Sequence, residues 1–161
     1  MQHFRVLSYN IWFEDRDRLA RLEALMATIV DLDPDVICLQ EVIPDIYEVL
    51  KLKLLQYPYH FPSVLAYRYG SVIISKHRME EGINKEFLGS RMGRSLLCAT
   101  VKVPTKNNSF TSIIIGNTHF ESEFQKKDPN TEKLAQYEGS YEMLNSMHNK
   151  NPNIIFCSGG I

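Results

Sequence analysis

The feature that most limits what this chain can fold into is Val36-Ile37-Cys38-Leu39, four consecutive apolar residues that stop abruptly at Gln40-Glu41. A strand with one face in water alternates apolar and polar residues. An unbroken apolar run is the pattern of a strand covered on both faces. Such a strand needs a layer on each side, so the rest of the chain must supply further sheets or helices. Just upstream, Asp33-Pro34 ends a helix, because a residue before proline is pushed out of the helical region. That helix is expected from Leu19, Leu22, Leu25, Met26, Ile29 and Val30, which recur at helical spacing. It follows the charged entry Glu14-Asp15-Arg16-Asp17, and acidic residues suit a helix start.

The same reasoning places the other elements. Phe4, Val6 and Leu7-Ser8-Tyr9 predict a first strand that ends at Asn10. A short helix is expected after Pro44, with Ile46, Val49 and Leu50 apolar and Lys51 and Lys53 towards its end. The aromatic, proline-broken stretch from Tyr57 to Pro62 reads as an irregular or edge segment. Strands are expected at Ser71 to Ser75, Glu86 to Leu88, Arg94 to Val103 and Phe110 to Thr118. Lys106-Asn107-Asn108-Ser109 turns the chain between the last two. Strand following strand without a helix implies antiparallel pairing. A polar loop, Gln125 to Thr131, leads to a helix carrying Leu134, Tyr137, Tyr141, Leu144 and Met147. Pro152 to Cys157 opens a last buried strand. The order β, α, β, α, several β, α, β predicts one α/β domain over residues 1–161, with packed mixed sheets flanked by helices.

Charge narrows the function. With 18 basic and 19 acidic residues the formal net charge is -1, which argues against a protein that coats duplex by neutralising phosphates. If DNA is the partner, contact falls to a local patch or a metal-bridged end. No apolar run approaches the roughly 18 residues of a membrane span, and no apolar segment opens the chain as a signal peptide does. A soluble protein of nucleus or cytoplasm, not secreted and with no membrane partner, is expected. Cys38 and Cys98 sit in apolar runs, and an odd third, Cys157, completes the set. They read as small buried hydrophobes in a reducing compartment.

The chemistry lies where apolar runs stop. The first strand ends at Asn10, the second at Gln40-Glu41, and Ile113-Ile114-Ile115 runs out at Asn117-Thr118-His119. If those ends share one edge, an amide, a carboxylate and an imidazole converge where ligand sites commonly form. Hard divalent cations take carboxylate and amide oxygens, and His119 and Ser122 supply donors for the charge of phosphoryl chemistry. Each residue alone has a plainer explanation: Glu41 as a helix cap, His119 as a structural histidine, Asn10 as a turn residue.

The constellation is more specific than its parts. Ser8-Tyr9-Asn10, Asp35-Val36-Ile37-Cys38-Leu39-Gln40-Glu41-Val42 and Asn117-Thr118-His119-Phe120-Glu121-Ser122 resemble, in order, three signatures of the endonuclease/exonuclease/phosphatase superfamily. Gln40-Glu41-Val42-Ile43-Pro44, Arg94-Ser95-Leu96-Leu97-Cys98 and Thr118-His119-Phe120-Glu121-Ser122 look like its tyrosyl-DNA phosphodiesterase branch. The resemblance implies a four-layered sandwich of two mixed sheets with helices outside, here incomplete at the C-terminus. It implies Glu41 as ligand of a catalytic Mg2+ (with Mn2+ as a substitute), and Asn10 as a metal-side or phosphate-side contact. It also implies His119 and Ser122 as phosphate donors. Tyr69 and Arg94 match the family's substrate-side tyrosine and arginine more loosely. The implied reaction is metal-dependent hydrolysis of the phosphodiester joining a 5′ DNA end to a topoisomerase tyrosine, a DNA-repair step. Another branch (a deadenylase, an abasic-site nuclease, a lipid phosphodiesterase) and a non-catalytic DNA-end-binding remnant are the alternatives.

One part of the pattern departs from the family. Its next strand ends Gly-Asp-x-Asn, whereas here Gly159 stands at the aspartate position and Ile161 at the asparagine position. A later Ser-Asp-His motif is also missing. Either the chain is incomplete, the reading favoured by survival of Asn10, Glu41, His119 and Ser122, or it is a short protein with a binding role. On its own it is expected to be inactive and aggregation-prone.

Overall fold

The computed structural model describes residues 3–107, 109–122, 129–148 and 153–159. The unbroken apolar run becomes β2 (Val36–Val42), covered as its pattern requires: Val36, Ile37, Cys38 and Leu39 are wholly inaccessible. On one side β1 (Val6–Asn10) pairs with it in parallel; on the other β4 (Gly70–Ser75) pairs antiparallel, and β3 (Tyr59–Phe61) lies beyond β4. The second sheet has the order β5 (Met79–Glu86), β6 (Ser95–Pro104), β7 (Phe110–His119), β8 (Ile154–Gly159). Its first three strands are antiparallel, and β8 runs parallel to β7.

Side-chain alternation on each strand separates the layers. Ile37, Leu39, Val72 and Ile74 face outward, onto Leu22, Leu25 and Ile29 of α1 (Arg18–Leu32) and Ile46, Tyr47 and Leu50 of α2 (Pro44–Lys53). Val36, Cys38 and Ile73 face inward and meet Leu97, Ala99, Val101 and Ile115 between the sheets. On the far side Leu96, Cys98 and Ile114 pack with Leu144 of α3 (Pro129–His148). The result is the expected four-layered α/β arrangement of two mixed sheets with helices outside. Burying a side chain such as Leu39 contributes roughly 2 kcal/mol. All three cysteines are free, Cys38 and Cys98 buried and Cys157 partly so.

Several local expectations needed correction. β2 does not stop at Gln40-Glu41 but continues to Val42 through an irregularity in its register with β4. The strand expected at Glu86 to Leu88 lies earlier, at Met79–Glu86, and Leu88 is fully exposed. Met79–Glu86 has no apolar run because it is an edge strand, held by its backbone ladder to β6. In α1, Leu19 and Val30 are exposed, outside the buried Leu22-Leu25-Ile29 stripe. Its first turn holds no acidic residue, since Asp17 is the cap, with φ 51°. α3 begins at Pro129, inside the segment expected as loop, because proline is at home in a helix's first turn. Residues 123–128 lie outside the described residues.

Ile154 to Cys157 read as a strand covered on both faces, yet they are only half-buried, because β8 is an outer strand of its sheet. Beside it, Leu134, Tyr137 and Tyr141 of α3, expected as its apolar stripe, are exposed.

Candidate active site

The C-terminal ends of β1, β2 and β7 meet at one end of the sandwich, because β1 and β2 are parallel and β7 lies across the inter-sheet core from β2. Glu41 is carried there by the β2 irregularity, with φ 58°, a left-handed conformation uncommon for a residue with a Cβ. Backbone departures of this kind re-aim side chains and are over-represented beside active sites. The Glu41 carboxylate is mostly enclosed; Oε1 accepts from Asn10 Nδ2 at 3.2 Å and Oε2 from the Phe13 N–H at 3.3 Å. Asn10 Oδ1 in turn accepts the Trp12 N–H at 2.9 Å.

His119, at the end of β7, brings its Nδ1 to 3.6 Å from Glu41 Oε1 and 2.7 Å from Arg94 Nη1. A guanidinium only donates, so Nδ1 must accept and the ring proton sits on Nε2. Burial, then the Arg94 charge, pushes the imidazole pKa down to about 4, against weaker opposing pulls from Glu41 and Glu121. His119 and Glu41 are therefore neighbours, not an ion pair, near neutral pH. Arg94 is itself 5% exposed, and its Nε finds no partner among the described residues. Its guanidinium lies 5.6 Å from the Tyr69 ring, which stacks at 4.7 Å on Phe13. Tyr69, Arg94 and His119 line a cleft of about 80 Å³. Ser122 stands apart, its Oγ 3.3 Å from Met92 Sδ, the sulfur that Arg94 Nη2 also approaches at 3.6 Å.

Asn10, Glu41, His119 and Arg94 thus form a contiguous set, with Tyr69 on its wall and Ser122 joined to it through Met92. Sequence reasoning overlooked the support beneath. Gln40 Nε2 donates to Asn117 Oδ1 at 2.8 Å, and Asn117 Nδ2 donates to the carbonyls of Leu39 and Val72 at 3.0 and 2.8 Å. Both amides are buried and tie the sheets together directly under Glu41 and His119. The available signal was an amide breaking into each apolar run at its end.

At the position where a family aspartate is implied, β8 sets Gly159 opposite His119. No side chain projects there, and a Cβ would stand 3.1 Å from Gln40 Oε1. Ile161 lies outside the described residues.

His119 carries a pH signature. An unfolded imidazole takes a proton below about pH 6.5, and the folded one refuses it until about pH 4. Above pH 6.5 the group adds no pH dependence. As the pH falls from there to about 4, folding is expected to lose up to roughly 3 kcal/mol through this group. Urea unfolding of the wild type and His119→Gln across that range should show the slope flattened in the variant; identical slopes would clear His119 of the effect.

Residues 7–127 match the Endonuclease/Exonuclease/phosphatase family. With two mixed sheets, flanking helices and a carboxylate and histidine at the strand ends, the chain belongs to that family. Within it the chain is similar to Tyrosyl-DNA phosphodiesterase 2 of Xenopus laevis, 30% identical over 162 residues, 98% of this chain and 40% of the frog protein. The Xenopus tropicalis protein of that name is 32% identical over 138 residues, 83% of this chain and 34% of its own length. The chain therefore spans less than half the length of these relatives. Among solved structures, TDP2 from C. elegans superposes with a TM-score of 0.80 at 24% identity, covering 96% of this chain and 47% of that one. D. rerio TDP2 complexed with single strand DNA product gives 0.73 at 23%, over 96% and 58%. These likenesses establish the fold.

Proposed function

We propose that this chain builds the metal- and phosphate-holding part of a phosphodiesterase site for 5′ DNA ends that carry a tyrosyl adduct, the ends left by trapped topoisomerases. The observation that carries the reading is the junction of Glu41 with the Arg94–His119 pair at the meeting strand ends, in a chain matched almost end to end by Tyrosyl-DNA phosphodiesterase 2.

The donor set suits Mg2+. Among the described residues no group of three or more His, Cys, Asp or Glu gathers to hold an ion, and Glu41 is the carboxylate at the meeting strand ends. Mg2+ is commonly bound by one or two carboxylates, keeping water and substrate phosphate oxygens as its other ligands. Glu41 would hold it, with lone pairs remaining beyond its bonds from Asn10 and Phe13. Asn10 would orient that carboxylate and offer its amide oxygen alongside. When bound, the ion offsets negative charge developing on the phosphate oxygens.

The chain's own groups do the rest of the binding. Neutral His119 presents its Nε2–H as a donor, and Arg94 adds a fixed positive charge, with a buried Nε–H that has no partner among the described residues. Ser122 supplies a hydroxyl, and the Phe13–Tyr69 stack offers an apolar wall to a base or to the tyrosyl ring. Gly159 supplies no carboxylate to orient an attacking water, so these residues are expected to bind without fast turnover. Action on DNA ends fits residence in the nucleus, or in the cytoplasm.

The test is fluorescence anisotropy of a labelled 5′-tyrosyl oligonucleotide, with and without Mg2+, alongside an assay for tyrosine release. Mg2+-dependent binding with negligible release is the expected result. Binding indifferent to Mg2+ would sink the reading, and brisk release would overturn the inactivity. Poly(A) and sphingomyelin as parallel substrates separate the other branches of the family.

A further inference from the structure

Glu121 is a buried carboxylate in no ion pair among the described residues, and burying an ionised group is costly unless its oxygens are satisfied. Three donors satisfy it, each from a segment distant in sequence. Oε2 accepts from Ser90 Oγ at 2.8 Å and from Gln136 Nε2 at 3.0 Å, and Oε1 accepts the Met92 N–H at 3.1 Å. Gln136 Oε1 completes the exchange by accepting the Glu121 N–H at 2.8 Å. Ser90 Oγ also accepts the Arg94 N–H at 2.8 Å. One side chain thus fastens both the connection between β5 and β6 and the helix α3 to the end of β7.

That connection bears Met92 and Arg94, and turns through left-handed Gly89 and Gly93, at φ 81° and 64°. It has little regular structure of its own to aim Arg94. We propose that Glu121 is a positioning residue, latching residues 87–94 so that Arg94 meets His119 and Met92 sits between Arg94 and Ser122. A negative charge is suited to the task because all three partners of the carboxylate donate, two from side chains and one from the Met92 backbone; a neutral amide would set an N–H against donors. The latch rests on the proposed phosphate-binding role of Arg94 for its purpose, but its geometry stands independently.

The test is Glu121→Gln, read in two ways. Amide exchange at Met92 and Arg94, compared with β2, reports the latch. The affinity for the 5′-tyrosyl oligonucleotide with Mg2+ reports its purpose. Faster exchange at Met92 and Arg94 with β2 unchanged is expected, together with a loss of affinity of about tenfold or more, the scale of one hydrogen bond to a charged group. Unchanged exchange at Met92 and Arg94 overturns the latch, whatever the affinity. Loosened exchange with undiminished affinity overturns the positioning role. If the wild type binds no oligonucleotide, the phosphodiesterase reading fails, and loosened exchange still upholds the latch. Should Glu121→Gln not fold, Ser90→Ala removes one of the three donors and is read in the same way.

Discussion

Glu41→Gln is expected to lower affinity for Mg2+ or Mn2+ by at least about 100-fold, above the range seen when only a supporting residue of a metal site is lost. Glu41 is the carboxylate at the junction of β1, β2 and β7, and Asn10 and Phe13 donate to its two oxygens. Glutamine keeps the size and one acceptor oxygen but carries no charge, so a hard cation loses its anchor. The fold should survive, since the amide can still take the Phe13 N–H. Mn2+ titration followed by electron paramagnetic resonance, with thermal unfolding as control, makes the measurement. Undiminished affinity would remove Glu41 from the site. In a complete enzyme of this family the same change is expected to abolish metal-dependent turnover.

Asn117→Ala is expected to cost about 4 kcal/mol of stability. Its amide donates to the Leu39 and Val72 carbonyls and accepts from Gln40, all buried between the sheets. Truncation takes the Asn117 donor from both carbonyls, while Gln40 Nε2 keeps Ser8 Oγ and the Cys38 carbonyl, and each unsatisfied buried polar group costs roughly 1–3 kcal/mol. Against a total stability of about 5–15 kcal/mol for a typical domain, that is a large fraction. Denaturant unfolding would show it as a lowered midpoint with an unchanged slope. A loss below about 1 kcal/mol would mean that solvent reaches the amides or that the sheets re-pack around the gap. Gln40→Leu should be milder, because it leaves the two carbonyls with their Asn117 donor.

Much of the fold is legible from apolar patterning. The run Val36 to Leu39 calls for cover on both faces and has it; Leu22, Leu25 and Ile29 define the buried stripe of α1; Pro34 and Pro44 bracket β2 between helices. Patterning fails where burial does not decide conformation. Met79–Glu86 is a strand because β6 offers it a ladder, a reason that lies far along the chain. Leu134, Tyr137 and Tyr141 have the spacing of a packed face, yet all three stay exposed, with Tyr137 reaching the Phe120 ring at 6.4 Å.

The site divides in the same way. Asn10, Glu41 and His119 stand out in sequence because polar groups that end apolar runs collect at a sheet's edge, and the family resemblance adds Arg94, Tyr69 and Ser122. Spacing along the chain carries no information about the left-handed turn at Glu41, the proton on His119 Nε2, or the Gln40–Asn117 bridge. Nor does it reveal the convergence of Ser90, Met92 and Gln136 on Glu121. By itself the sequence determined which segments must be buried and which polar residues close them, because burial is written in local periodicity. Only the tertiary structure decided which of those polar groups touch. Hydrogen bonds and charge interactions depend on ångström-scale distances between residues tens of positions apart, and the packing of the two sheets sets those distances.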